Sequence, residues 1–211
     1  MKSETLNKMK MMRLSGMAEA YEQQLHGQEY QTMGFEERLT LLIDHEYAKR
    51  QNSKLNRTIQ QATLSNPEAY IEDIHYHPDR HLDKELIQRL AVGSYLDSGE
   101  NIILMSASGN GKTWIANAFG IQACRQFKKV KYIRLSELID VLKIAKLDGT
   151  NVYRKRIRIF NKFNLLVLDE WLLTPLSQED SLYVLEIIEG RLNKKSTIFC
   201  SQFSPEVWIK K

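Results

Sequence analysis

The chain has 211 residues, of which 43% are hydrophobic and 27% are charged, and its formal net charge is +4. These values are typical of a soluble globular protein, and so mild an excess of basic residues does not by itself indicate nucleic-acid binding. No apolar run reaches the length of a membrane span and the N-terminus has no signal sequence, so we expect a cytoplasmic location and no membrane partner.

The first part of the chain is helical in pattern and contains no proline before Pro67. Apolar residues recur at helical spacing from Lys8 to Leu25, with a predicted break near Ser15-Gly16. A second amphipathic helix follows Gly34, and one of its faces holds Phe35, Leu39, Leu42, Ile43 and Tyr47. We therefore predict a helical N-terminal domain over residues 1–66 that binds DNA or a protein partner.

The exposed side of this second helix carries a basic run with no acidic residue inside it. The run consists of Lys49, Arg50, Lys54 and Arg57. A solvated face and a face that contacts DNA phosphates both explain such a run, and the pattern favours neither.

Residues 67–81 are predicted to connect this domain to a second one, because Asn66-Pro67 ends the helical pattern. The connector contains His75, His77 and His81, three of the five histidines. Metal ligation is one interpretation, but no second group of ligands stands nearby in the sequence, so we expect surface residues. Cys124 and Cys200 have no paired spacing and predict packing thiols.

A glycine-rich loop lies between an apolar segment, Ile102 to Met105, and an Ala-rich helical stretch. Backbone N–H groups in a loop of this kind make a site for phosphates, and a lysine and a hydroxyl complete the motif. The predicted nucleotide-binding residues are Ser106, Ala107, Ser108, Gly109, Asn110, Gly111, Lys112, Thr113 and Trp114. We expect Lys112 to reach the β- and γ-phosphates of ATP and Thr113 to hold Mg²⁺. The alternative is a turn of small residues that happens to end in Gly-Lys-Thr.

A second site-forming pattern is the wholly apolar run Leu165 to Leu168, which ends in Asp169 and Glu170. Such a run suits a strand buried on both faces, and acids at its carboxyl end fall where open α/β sheets bind ligands. Asp169 is predicted to orient Mg²⁺ and Glu170 to polarise the attacking water. A buried strand that meets a solvated acidic turn is the alternative. Both patterns together predict a P-loop NTPase.

From residue 82 to residue 211 helices and strands alternate, which predicts an α/β domain with a three-layer parallel sheet. Ser136 is predicted to cap one helix. Ser177 is predicted to cap another, whose inward face would hold Leu182, Leu185, Ile188 and Leu192. The predicted strands are 101–105, 130–134, 165–169 and 196–200, and the other predicted helices are 83–90, 112–126 and 152–163.

The helix over residues 152–163 is the second basic feature of the chain. Its basic residues are Arg154, Lys155, Arg156, Arg158 and Lys162, and it contains no acidic residue. Surface helices normally mix charges of both signs, so the pattern favours contact with DNA phosphates over a solvated face.

Taken together, the motifs resemble the IstB-like helper ATPases of insertion sequences, AAA+ relatives of the helicase loader DnaC. The resemblance runs along the whole chain. It is carried by Arg13 to Ala18, Phe35 to Leu39, the motifs around Lys112 and Asp169, and Trp171 to Leu176, and by Arg191, Ser196 to Ile198, Ser201 to Pro205 and Trp208. The resemblance implies ATP-dependent self-association on double-stranded DNA and delivery of target DNA to a transposase. It also implies that Gln202, or else Ser201, senses the γ-phosphate.

The chain departs from the family pattern in three places. Ser106 replaces the first glycine of the loop, and Glu170 stands where many relatives have a second Asp. A complete AAA+ sheet also needs a fifth strand, a helical lid and an arginine finger beyond the last predicted strand. Only three residues follow Trp208, so we expect a truncated copy or a fragment, with Arg191 a packed helix end and not the finger. A nucleotide-binding remnant without hydrolysis and a replicative helicase loader are the alternative functions.

Overall fold

The computed structural model describes residues 2–77 and 82–208. The chain divides into two compact units, one ending at Asn56 and one beginning at Arg57. The predicted domain limits at residues 66 and 81 stay a prediction. The segment that follows the first long helix nevertheless packs within the second unit, because the Leu64 side chain lies against Gly120 and Asn66 contacts Asn117.

The first unit consists of helices α1 (Lys2–Met11), α2 (Ser15–His26) and α3 (Phe35–Ala62), the last of which runs on into the second unit. The predicted break near Ser15-Gly16 is confirmed, because residues 12–14 separate α1 from α2 and α2 begins at Ser15. Gly16 also permits close packing, since a Cβ atom at this position would lie 2.9 Å from Cα of Glu46. The apolar face predicted for α3 is largely exposed, and Phe35 is 76% exposed.

The second unit is built around four parallel strands, β1 (Ile102–Met105), β2 (Val130–Arg134), β3 (Leu165–Asp169) and β4 (Ser196–Ser201). They lie in the order β1-β4-β3-β2, so β1 and β2 are the edge strands of this sheet. The helices are α4 (Lys84–Ala91), α5 (Ser94–Ser98), α6 (Lys112–Arg125), α7 (Leu135–Leu147), α8 (Thr150–Asn161), α9 (Gln178–Arg191) and α10 (Pro205–Trp208). The predicted α/β class with a parallel sheet is confirmed.

Helices cover both faces of the sheet. The crossover from β1 to β2 runs in the opposite direction from the crossovers β2 to β3 and β3 to β4. Right-handed connections therefore place α6 on one face and α7 to α9 on the other. Leu166 and Leu168 pack with α7, α8 and α9 in one buried cluster, and side chains alternate along a strand, so Leu165 and Val167 point toward α6.

Two details predicted for the helices are wrong. Ser136 is not a cap, because α7 begins at Leu135 and its N-cap position is Arg134. Leu182, Leu185 and Leu192 do not face inward, since they are 61%, 50% and 54% exposed. Ile188 is half-buried against the core, as predicted. The buried face of α9 consists of Tyr183, Val184, Ile187 and Arg191. The predicted N-cap at Ser177 is confirmed by the hydrogen bond that its hydroxyl accepts from the Asp180 amide. None of the described helices combines the length and apolarity that crossing a bilayer requires.

Candidate functional site

The glycine-rich loop lies between β1 and the first turn of α6. Gly109 and Gly111 both have a φ of 81°, a left-handed conformation that favours glycine. Ser106 is not in this conformation, so the side chain that replaces the expected glycine causes no backbone strain there. Its amide extends the ladder between β1 and β4 by donating to the carbonyl of Ser201 at 3.3 Å. The loop therefore keeps the required bend without its first glycine.

Lys112 folds back across this loop. Its ammonium group donates to the carbonyls of Ser106 and Ala107 at 2.6 and 2.7 Å. Burial lowers the pKa of Lys112, and the charge of Asp169 opposes that shift. Both carbonyls belong to the loop itself, so a phosphate that enters the loop competes with them for the lysine.

Asp169 ends β3 and meets the first turn of α6. Its Oδ2 atom accepts a hydrogen bond from the Thr113 hydroxyl at 2.8 Å and another from the Tyr132 hydroxyl at 2.7 Å. Its Oδ1 atom accepts from the Glu170 amide at 2.8 Å. The carboxylate is only 6% exposed, so these three donors fix its orientation. The two sequence motifs therefore meet through direct contact of their predicted Mg²⁺ residues.

Glu170 stands in an unusual backbone conformation beside this pair. Its φ of 55° is left-handed, which is rare for a residue other than glycine and often marks functional sites. The side chain is exposed, and Oε1 lies 3.8 Å from Nε of Arg134 at the end of β2. The carboxylate is therefore available to solvent and is held by one cation.

A cavity of about 460 Å³ joins these groups. Nine of the residues predicted for the site line it, namely Ser108, Gly109, Gly111, Lys112, Thr113, Trp114, Asp169, Glu170 and Gln202. The predicted residues Ser106, Ala107 and Asn110 are not among its lining residues. Gln202 follows β4 and is exposed. Ser201, the alternative sensor, is buried, and its hydroxyl donates to the carbonyl of Trp171 and accepts from Phe203 and Trp208. The geometry therefore favours Gln202.

Comparison with known proteins shows the family of this chain. The family model for IstB-like ATP-binding proteins matches residues 7–211. The chain belongs to the IstB-like ATP-binding family. It is 38% identical over 202 residues to a Pseudomonas fluorescens protein named as an ATP-binding protein of insertion sequence IS1162, covering 96% of this chain and 87% of the relative. It is also 35% identical over 204 residues to y4pL of Sinorhizobium fredii, another protein named for an insertion sequence, covering 97% and 82%.

Solved structures give the fold of this IstB-like chain. The helicase loader DnaC superposes with a TM-score of 0.57 at 23% identity, covering 67% of this chain and 82% of DnaC. AMPPCP-bound DnaA from Aquifex aeolicus superposes with a TM-score of 0.60 at 19% identity, covering 69% and 45%. These likenesses concern the fold alone, and they confirm the predicted P-loop α/β architecture.

A second cavity of about 440 Å³ adjoins the first and shares Gly111 and Trp114 with it. Its other walls are Asp73, Ile74, His75 and Ile115. Residues 67–81 were predicted only as a connector, so their contribution to this cavity is a finding of the structure. His75 and His77 are exposed, as expected, and His81 lies outside the described residues. Across residues 2–77 and 82–208, no three His, Cys, Asp or Glu side chains form a metal-binding group.

Five further residues of the site were missed, Ser65, Asn66, Asn117, Tyr132 and Arg134. Four of them line the first cavity, whereas Asn117 lies behind its wall. Burial raises the pKa of Tyr132 to about 12, with a further contribution from its bond to Asp169, so the phenol is a hydrogen-bond donor at neutral pH. The position of Arg134 could have indicated its place in the site, because Arg134 ends β2 and is the register partner of Asp169 at the end of β3.

The basic residues of α8 are all exposed, whereas Tyr153, Ile157 and Phe160 face the core. Among the described residues, no ion pair involves Arg154, Lys155, Arg156, Arg158 or Lys162.

The basic run on α3 differs from that of α8. Lys49 pairs with Glu19 at 2.5 Å, and Arg50 pairs with Glu46 at 2.6 Å. Lys54 and Arg57 are exposed. Lys49 and Arg50 are therefore neutralised, and the sequence pattern did not reveal the partner of Lys49 because Glu19 is distant in sequence.

Arg191 is almost completely buried at the end of α9, near the start of β4. The sequence prediction of a packed helix end is confirmed. It donates to the carbonyls of Phe160, Phe163 and Ser196 and to the Thr197 hydroxyl. Burial lowers its pKa to about 10, so it remains protonated at neutral pH. A guanidinium with four internal partners serves the fold and is not presented to a neighbouring subunit.

Proposed function

We propose that this IstB-like chain binds ATP together with Mg²⁺ at the first cavity and hydrolyses it. The observation that carries the proposal is the 2.8 Å contact between Thr113 and Asp169, which joins the two motifs at one point. Hydroxyl and carboxylate oxygens are the ligands that suit Mg²⁺, so these residues fit that ion. The membership of the ATP-binding family supports the same ligand.

Each side chain of the site has a role in this proposal. Lys112 leaves its two loop carbonyls and contacts the β- and γ-phosphates, while the loop amides bind the remaining phosphate oxygens. Thr113 and Asp169 hold Mg²⁺, which when bound neutralises phosphate charge. Glu170 polarises the attacking water, and Gln202 contacts the γ-phosphate. We assign the adenine base to the second cavity, because this cavity adjoins the first and Trp114 lines both.

We further propose that α8 contacts the phosphates of double-stranded DNA. Its four exposed cations and Lys162, which directly follows it, have no acidic partner in the described part of the chain, so binding DNA breaks no ion pair. Release of counterions from DNA supplies the free energy of such contacts, and it makes them sensitive to salt. The unpaired surface of α8 is therefore a better candidate than the partly neutralised run on α3.

The cellular role that we propose is to assist a transposase in selecting target DNA, as an ATP-dependent oligomer on that DNA. Two of the similar proteins are named for insertion sequences, which supports this role. A nucleotide-binding remnant without hydrolysis is the second candidate, because the contact with Arg134 competes with water for Glu170. The likeness to DnaC, at 23% identity, concerns the fold alone and gives a helicase-loading role no separate support.

Steady-state ATPase measurements with and without duplex DNA test the proposal. The proposed enzyme turns over ATP faster when DNA is present, and the Glu170→Gln variant binds ATP without turning it over. A parent chain that binds ATP with no measurable turnover would favour the remnant.

A further inference from the structure

Two buried polar side chains stand directly behind the residues assigned to Mg²⁺. The Tyr132 hydroxyl donates to Oδ2 of Asp169 at 2.7 Å. The Asn117 amide donates to the carbonyl of Thr113 at 2.6 Å and is fully buried. Tyr132 therefore holds the side chain of Asp169, and Asn117 holds the backbone of Thr113.

The Asn117 side chain is held on its other side as well. Its amide nitrogen also donates to the Ser65 hydroxyl at 3.0 Å, and its oxygen accepts from the Asn66 amide at 3.3 Å. Both amide hydrogens and the carbonyl oxygen are thus used, which fixes the orientation of this side chain.

Tyr132 is tied to the same stretch of chain through its backbone. The Thr63 hydroxyl donates to the Tyr132 carbonyl at 3.0 Å and accepts from the Lys131 ammonium group at 2.9 Å. Thr63 has a φ of 52°, a costly conformation for a β-branched residue that persists only where surrounding contacts impose it. We call residues 63–66, which directly follow α3, the strap.

The Asp169 carboxylate accepts two hydroxyl groups on one oxygen, from Thr113 and from Tyr132. A hydroxyl has one donor hydrogen and two acceptor lone pairs, so Thr113 can donate to Asp169 and still offer oxygen to a cation. Without the Tyr132 hydroxyl, only Thr113 and the Glu170 amide would orient the carboxylate. Second-sphere partners of this kind set the orientation of metal ligands, and their loss typically lowers metal affinity about 10- to 100-fold.

We propose that Tyr132 and Asn117 are positioning residues for the Mg²⁺ site and that the strap holds both of them in place. The inference rests on the proposed function, since it assumes that Thr113 and Asp169 bind Mg²⁺ with ATP. Neither positioning residue needs to touch the nucleotide. Their effect is therefore on the Mg²⁺ requirement of binding and not on contacts with ATP itself.

The Tyr132→Phe variant tests the first positioning residue, because it removes one hydroxyl and keeps the ring. Tyr153→Phe is a matched control, since that hydroxyl donates to Glu186 at 2.6 Å, between α8 and α9. Binding of a fluorescent ATP analogue is measured during Mg²⁺ titration and again in EDTA. We expect half-saturating Mg²⁺ to rise about tenfold or more in Tyr132→Phe and to stay unchanged in Tyr153→Phe, with equal affinities in EDTA.

The Mg²⁺ titration also separates the ways in which the inference fails. A Tyr132→Phe variant with the Mg²⁺ dependence of the parent overturns the positioning role while the proposed function stands. A parent chain whose nucleotide binding ignores Mg²⁺ overturns the proposed function and this inference with it.

Ser65→Ala tests the strap, because it releases one end of Asn117 and leaves the bond to Thr113. Ser98→Ala is its control, since that hydroxyl donates only to carbonyls of its own helix. We expect half-saturating Mg²⁺ to rise about threefold, the effect of one neutral hydrogen bond, with unchanged affinity in EDTA. Weaker binding in EDTA would mean that Ser65 contacts the nucleotide directly, and that result, like an unchanged Mg²⁺ dependence, would overturn the role of the strap.

Discussion

Replacing Arg191 with leucine removes the guanidinium that joins the end of α8 to the start of β4. Its loss leaves the carbonyls of Phe160, Phe163 and Ser196 and the Thr197 hydroxyl without this donor. A buried polar group without a partner costs about 1–3 kcal/mol, and these four share one donor, so their costs are not additive. We therefore expect the free energy of unfolding of the second unit to fall by about 3–6 kcal/mol, less than the sum over the four groups. Small domains are stable by about 5–15 kcal/mol, so this loss is large.

Urea denaturation followed by tryptophan fluorescence measures the effect on the second unit, because Trp114, Trp171 and Trp208 all lie there. Arg191→Lys keeps the charge but lacks the planar guanidinium that reaches all four acceptors, so we expect an intermediate loss of unfolding free energy. A loss below about 1 kcal/mol in Arg191→Leu would refute the structural role. A stable variant with strongly reduced turnover would instead indicate an arginine finger.

Three further predictions concern catalysis, DNA and pH. Glu170→Gln should bind ATP normally and hydrolyse it about 10²–10⁴-fold more slowly, as single-turnover assays would show, and a smaller effect would remove Glu170 from the role of general base. Replacing the three arginines of α8 with alanine should reduce the slope of log K for duplex DNA against log salt by about 0.9 per lost contact. Lys49→Ala is the control and should leave the slope unchanged, because Lys49 is already paired with Glu19. The Lys143 ammonium holds the pKa of Asp180 below its usual value, so this pair stabilises the fold above pH 4 and its contribution is lost as the pH falls through the lowered pKa. Lys143→Met should therefore lower the melting temperature at pH 7 and leave it nearly unchanged at pH 2, and equal shifts at both pH values would contradict the ion pair.

The motifs of the site could be predicted because each is local in sequence. A strand, a glycine-rich loop and a helix follow one another around Lys112, and an apolar strand ends at Asp169. Both patterns fall at the carboxyl ends of parallel strands, which share one edge of a sheet, so their meeting followed from the predicted fold. The four strands were each located to within one residue.

The residues that were missed owe their roles to contacts between distant parts of the sequence. Tyr132 reaches Asp169 across 37 residues, and Asn117 reaches Ser65 across 52 residues. Neither residue belongs to a motif, so no local pattern marks it. The neutralisation of Lys49 by Glu19, 30 residues away, was hidden for the same reason.

The error on α9 has a different cause, since apolar residues occupy two adjacent stripes of this helix. The stripe with Leu182 and Leu185 has the more regular leucine pattern, but Tyr183 and Ile187 lie in the other. Tyr183 packs on Tyr153 of α8 with ring centroids 5.7 Å apart, and Ile187 is fully buried. Helical periodicity alone does not choose between two such faces, and packing against α8 decides it.

The central claim, that the cavity around Thr113 and Asp169 binds ATP, is tested most directly by calorimetry on the parent and on Lys112→Ala. Lys128→Ala is the matched control, because Lys128 is also partly buried but is paired with Asp97 at 2.6 Å. The claim predicts Mg²⁺-dependent ATP binding by the parent and by Lys128→Ala, and none by Lys112→Ala. Equal ATP affinity in all three proteins would contradict it.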